Sequence, residues 1–305
     1  MTFKIISDEV NRQPIDDFLG LTADHVHDIL YSPLDEIQHI VNINTSFDPN
    51  LLKKVGVVAK VNLLIKLIGD AGGAKATQKG YLPKKIVNAL NEFHGLGNFT
   101  VGSEEDAPDV LTLRQAVTKC GWIKKSSGRF LLTKKGEEIY RDGFSQSHYV
   151  VLLRFWMFSY NWGDTDGHPA CPIIQESAVF SLYMLMKRAQ EPLSSGDFTG
   201  LFIRAFPYAL QLLSAEPSRI EISLHRAISP EERLGSVLRL RFLQRFAAYF
   251  GLIDYLVDEK LPYFERYQKA QFKTSRLFNE VFSWFAPDQQ RSAAAVPGIG
   301  NDLSH

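Results

Sequence analysis

Apolar residues three and four positions apart over 15–31, "IDDFLGLTADHVHDILY", predict two short helices. Thr22 is placed to cap the second, Val26, Ile29 and Leu30 form its apolar face, and Pro33 stops it. The mixed segment "LDEIQHIVNINTSF" reads as a partly extended crossover. Leu51, Leu52, Val55, Val58, Ala59, Leu63 and Leu67 then predict a helix with those residues inward, ended by Gly72-Gly73. Ala74 to Ala76 read as extended, Thr77 as a turn or cap residue, and Pro83 as close to a helix start. A polar, glycine-containing linker covers 94–109. Val110, Leu113, Ala116 and Val117 restore the helical rhythm, with Asp109 as the expected cap and Gly121 as the stop.

At 121–133 the period changes to that of strands. "WIKK" and "RFLLT" flank the small turn "SSG", which predicts a β-hairpin, and Thr133 opens the next helix. From 145 the pattern is mainly helical. The aromatic run Tyr149, Phe155, Trp156, Phe158, Tyr160 and Trp162 surrounds its helix and reads as core. Ser229-Pro230-Glu231-Glu232 is a helix start with cap, proline and acidic first turn. A short strand and a final helix are expected before a tail, 286–305, that has no periodic apolar face and reads as disordered.

One arrangement recurs. "FLLTKKG" places Thr133 and Gly136 before a helix, "AKATQKG" places Thr77 and Gly80 likewise, and "AQFKTSRLF" gives Thr274 the same role. Two of these corners follow a helix ending in "CGWI" or "FGLI" and then a strand. Residues 109–141 resemble a winged-helix domain, in which a helix leads into a two-stranded wing. A second wing-like hairpin is expected at 251–273 and a weaker corner near Thr77. Together with "FLGLTADHVHDILYSPLD" and "RFWMFSYNWGDTDGHP", these segments are similar to a bacterial family of plasmid-type open reading frames. That resemblance implies a fold and no activity. The expectation is a mainly α protein with winged-helix-like units on a helical body. Its expected parts are an N-terminal helical region (1–93), a winged-helix-like module (106–144) and a helical domain (145–285) before the tail.

Composition constrains the chemistry. The chain has 305 residues and is 45% hydrophobic, enough for a substantial core. Lys plus Arg and Asp plus Glu number 34 each, so any attraction to nucleic acid must come from a local patch. Two cysteines, Cys120 and Cys171, cannot build a disulfide scaffold and fit a reducing cytoplasm. No signal peptide or membrane-spanning stretch is expected.

The candidate chemistry is cationic. In a winged helix the helix before the wing reads bases, and here it carries Arg114, Gln115, Thr118 and Lys119. Lys124, Lys125 and Arg129 on the hairpin, with Lys134 beyond it, would supply phosphate contacts. DNA is therefore the expected partner. The alternative is a scaffold that binds a protein or a second copy of itself through the same units. Arg233, Arg239, Arg241 and Arg245 read as a solvated helix face. An enzyme is the least favoured reading. The loop "NWGDTDGHPAC" offers Asp164, Asp166, His168 and Cys171, but lacks calcium-loop or zinc-site spacing and reads as an Asx turn. His25 and His27 diverge on their helix, and Cys120 sits at a helix C-terminus that disfavours a thiolate. No metal, cofactor or catalytic motif is expected.

Overall fold

The computed structural model describes residues 11, 13–38, 40–92, 101–164, 166–213, 228–257, 260 and 270–285. The expected tail and the tip of the second hairpin lie outside them. Helices dominate, with three small antiparallel sheets. Among the described residues, no helix is long and apolar enough to cross a membrane.

The first compact unit begins with α2 (Gly56–Asp70), reached from α1 (Ala23–Tyr31) and β1 (Val41–Ile43). There follow β2 (Ala74–Lys75), α3 (Lys84–Glu92), α4 (Pro108–Lys119), β3 (Ile123–Ser126) and β4 (Arg129–Leu132). The sheet order is β2-β4-β3. Ala74 pairs with Phe130 and Lys75 with Arg129, while Lys125 pairs with Phe130 from the other side. The strand near Thr77 is thus the third strand of this same sheet, not the corner of another unit. It also joins positions 74–75 to the 123–132 hairpin across the expected boundary between the first two parts.

A second unit repeats the plan. After α5 (Lys134–Asp142), α6 (Gln146–Phe158) and the short α7 (Ile173–Glu176) come α8 (Ala178–Arg188), β5 (Leu193–Ser194), α9 (Ser195–Ala205) and the short α10 (Ala209–Leu212). Then α11 (Pro230–Leu238) continues into a π-helix (Arg239–Ala248), and β6 (Ile253–Leu256) and β7 (Gln271–Thr274) complete a sheet of order β5-β7-β6. Leu193 and Tyr255 flank Phe272 as Ala74 and Lys125 flank Phe130. Phe130 and Phe272 are both fully buried, each worth about 2–3 kcal/mol in apolar burial. Finally α12 (Arg276–Val281) leads into β8 (Phe282–Trp284), which pairs with β1. The expected crossover is therefore an edge strand, and the expected final helix ends in a strand.

The corners repeat in detail. Gly121 and Gly251 take φ of 77° and 69°, the left-handed conformation that lets each helix end in a sharp turn. Trp122 N–H donates to Val117 O, and Leu252 N–H to Ala247 O. Between β3 and β4, Ser127 and Gly128 both have positive φ, as a two-residue hairpin loop requires.

Packing shifts two helix readings. Asp48 caps a 3-10 turn over Pro49–Lys54, and Val55 is extended, so α2 begins only at Gly56. Its buried face is Val57, Val58, Val61, Leu64, Ile65 and Ile68, together with Lys60. Leu51, Leu63 and Leu67 only flank the core. Pro108, not Asp109, opens α4, and Ala107 holds the N-cap position without a side-chain bond. The second unit closes the start of α2, because Val57 N–H donates to Tyr249 O at 3.2 Å. Tyr149, Trp156, Tyr160 and Trp162 are core as expected, but Phe158 is half exposed.

Candidate nucleic-acid interface

Opposed residues of an antiparallel pair project to one face of the sheet. Phe130 faces the core, so Lys125 shares the inner face and reaches out at the sheet's edge beside Gly80. Lys124 and Leu131 take the outer face, as do Lys75, Arg129 and Ser126. Lys75, Lys124 and Arg129 are all exposed, and none has a carboxylate within ion-pair distance among the described residues. Arg129 is held in place by the backbone of the turn before β2. Its Nη2 donates to Gly72 O at 3.2 Å and to Gly73 O at 3.1 Å, leaving its other donors directed elsewhere. The small turn 126–128 is exposed next to this row.

The second sheet is an internal control for that row. Its matching positions are Ser194, Asp254 and Gln271, with Lys273 opposite Asp254. The same pleat therefore forms without a cationic outer face, and the first unit's row is not a demand of the fold.

The helix before the hairpin carries one side chain that is not free on its surface. Arg114 Nε lies 2.7 Å from Oε1 of Glu104, whose carboxylate is fully buried and also accepts Leu82 N–H at 2.7 Å. The Arg114 guanidinium stacks 5.7 Å from the Phe130 ring centroid. It holds the 101–107 segment, α4 and the hairpin together. Thr118 donates to Arg114 O at 2.7 Å. Arg114, Gln115, Thr118 and Lys119 together line a cleft of about 440 Å³ against Phe155 and Ser159 at the end of α6 and Asp164 beyond it. Lys119 is exposed at the C-terminal end of α4, and Lys134 is exposed as the first residue of α5. The candidates fall into two groups, four at this cleft and the others on or beyond the hairpin. Lys124 and Arg129 share the outer face with Lys75, which sequence reasoning missed. Its signal was the extended reading of 74–76, in which alternation sets Lys75 opposite to Ala74.

The 161–171 loop is built on charge that sequence reading placed in solvent. Arg241 is 3% exposed, and its Nε and Nη2 meet Asp166 Oδ2 and Oδ1 at 2.6 Å and 3.1 Å. Its Nη2 also donates to Pro169 O at 3.0 Å. The expected Asx turn is present, since His168 N–H donates to Asp166 Oδ1 at 2.9 Å. Burial chiefly, with help from Arg241, Arg245 and Arg239 against Asp166, pulls the His168 pKa below its usual value. Burial likewise raises the thiols, Cys120 to about 12 and Cys171 to about 11, so neither is a ready nucleophile. Among the described residues, no three His, Cys, Asp or Glu side chains gather as metal ligands would. His25 serves as a cap partner of Thr22, with Nδ1 3.0 Å from Oγ1, while His27 is exposed.

Compared with family models, curated proteins and solved structures, the chain matches none.

Proposed function

We propose that the two repeated units are winged-helix-type modules and that the first binds nucleic acid through the outer face of its sheet. Support for the module comes from the element order helix, strand, helix, helix, strand, strand, present twice with the same sheet order and register, the second time with the short α10 inserted between its two middle helices. The observation that carries the binding reading is the row Lys75, Lys124 and Arg129, cationic in the first unit and replaced by Ser194, Asp254 and Gln271 in the second. Such a row contacts phosphates, so the binding is salt-dependent and weakly selective for sequence. Lys125 at the sheet edge adds to it. Two unbridged thiols fit a cytoplasmic setting for this role. Kinship with the plasmid-type bacterial family belongs to the same proposal.

The test is anisotropy of a labelled duplex across a salt series. Lys75→Glu with Lys124→Glu is expected to weaken binding at least about tenfold and to reduce the salt slope by about 2. Unchanged affinity and slope would overturn the proposal.

A second reading is a protein-binding scaffold. It is favoured by the exposed rings of Tyr31 and Phe158 beside a cleft of about 850 Å³ between α1 and the 161–176 region. Nuclease-resistant, salt-insensitive association lost in Tyr31→Ala would support it, and a monomer unchanged by that substitution would count against it.

A further inference from the structure

A cavity of about 320 Å³ lies where α4, the end of α6 and the π-helix meet. Its lining includes Trp156, Trp162, Leu240, Gln244, Arg245 and Tyr249. Trp156 and Trp162 are buried, whereas the other four are only half-buried and keep surface open.

The π-helix shapes this wall. Its bonding reaches five residues back instead of four, so each turn takes in more residues. Leu240 and Tyr249, nine positions apart, would stand on opposite sides of an α-helix with its 3.6 residues per turn. Here they line one cavity, with Gln244 and Arg245 between them. The wider bonding reaches the last of them, since Tyr249 N–H donates to Gln244 O. Such widened turns are frequent at functional sites.

Most polar groups around the cavity are already engaged. The Thr112 and Tyr160 hydroxyls bond each other at 3.0 Å, and the Trp162 indole N–H donates to Trp156 O at 2.8 Å. The Asp109 carboxylate has a partner of its own and lies within electrostatic reach of the buried Lys60 ammonium. Arg241, one turn before Arg245, is closed on Asp166. Arg245 differs from all of these. Among the described residues its guanidinium makes no hydrogen bond and no ion pair, and the Gln244 side-chain amide makes no hydrogen bond either. Neither group is sealed from solvent, so their donors are within reach of an occupant. The cavity therefore offers one unmatched cation, one free amide and an apolar surface.

That set selects the ligand. A cation is repelled by Arg245. An inorganic anion would satisfy the guanidinium and leave Leu240 and Tyr249 against water, and a neutral ring would leave the guanidinium unused. A carboxylate matches the planar guanidinium through two parallel N–H bonds. A ring attached to it gains edge-on or offset contact with the aromatic wall. The volume is near the lower end of small-ligand sites, roughly 300–1,000 Å³, which suits one ring.

We infer that this cavity binds a small aromatic monocarboxylate, with its carboxylate on Arg245 and Gln244 and its ring against Leu240 and Tyr249. The inference does not rest on the nucleic-acid role proposed for Lys75, Lys124 and Arg129.

The test is calorimetric titration of the full chain with benzoate and with phenylacetate. Benzamide, a neutral isostere, and inorganic phosphate, an anion without a ring, are titrated in parallel. Saturable binding of at least one carboxylate is expected, with both controls weaker by about tenfold or more. Arg245→Gln should weaken carboxylate binding about tenfold or more with thermal melting unchanged, and Arg245→Lys should retain part of it. Arg239→Gln, which lies outside the lining, should leave binding as it is. Where a variant fails to fold, the comparison of benzoate with benzamide on the unaltered protein decides. No saturable response to either carboxylate at millimolar concentration would overturn the inference. So would benzamide or phosphate binding as tightly as the carboxylates, or a folded Arg245→Gln protein binding them unchanged.

Discussion

Thr133 and Ser275 perform the same task in the two units. The Thr133 hydroxyl donates to Gly121 O at 2.6 Å and accepts Gly136 N–H, and the Ser275 hydroxyl donates to Gly251 O at 2.6 Å and accepts Phe278 N–H. Each therefore caps the helix after a strand pair and ties it to the glycine that precedes that pair. Replacing either with Ala should destabilise the protein by about 1–2 kcal/mol, and Thr133→Ser or Ser275→Thr should recover most of it. Urea unfolding of the four variants measures this.

Gly136 should resist a substitution that ordinarily helps a helix. Alanine is favoured over glycine by about 1 kcal/mol in a helix interior. Here an added Cβ would collide with the backbone carbonyl of Trp122, which cannot rotate away. Gly136→Ala is therefore expected to destabilise by about 2–3 kcal/mol in the same denaturation assay.

The buried pair Arg241 and Asp166 should be strongly coupled. Asp166→Ala leaves a guanidinium without its counter-charge in the interior, at a cost of about 3–5 kcal/mol. Removing both partners, with Arg241→Met added, should be milder than Asp166→Ala alone. A double-mutant cycle in denaturant reads the difference, and additive losses would contradict the coupling.

Lys60 predicts a pH dependence. Burial, opposed in part by Asp109, lowers its pKa from 10.5 to about 8. Between those values the unfolded chain binds more protons than the folded one, so stability should rise from pH 8 towards pH 10. Lys60→Met should flatten that rise and stabilise the protein at neutral pH. Above this window the buried phenols of Tyr149 and Tyr183, whose pKa values burial raises, work in the opposite direction. Unfolding free energies at stepped pH provide the check.

Arg114 and Lys124 should separate stability from binding. Arg114→Ala strands the buried Glu104 carboxylate and is expected to cost about 3 kcal/mol or more. Lys124→Ala is expected to change stability by less than about 0.5 kcal/mol. On the proposed role, only the second reduces the salt slope of nucleic-acid binding in the intact fold.

Local patterns made the helices, the first hairpin and the Thr133 corner legible. Turn residues and periodicity are properties of a few neighbouring positions, and they carry that information directly. Pairings between distant positions were not legible. Nothing near Lys75 says that it will face Arg129, and nothing near Arg241 says that Asp166 will bury it. The cap after the second strand pair was placed one residue early, on Thr274, because both residues have hydroxyls. Register decides it, since Thr274 pairs with Ile253 as Leu132 pairs with Ile123. Lys60 and Arg114 were invisible as interior cations because their partners come from other elements.

Val41 lies in register opposite Trp284, with Phe285 N–H donating to Ile40 O beside them, so an early strand finds its only described neighbour near position 284. On a ribosome adding roughly 5–20 residues per second, that edge waits on the order of tens of seconds for its mate. During translation the nascent chain must keep an apolar ribbon unmatched, a natural client for a chaperone and a vulnerable place for truncated products to clump.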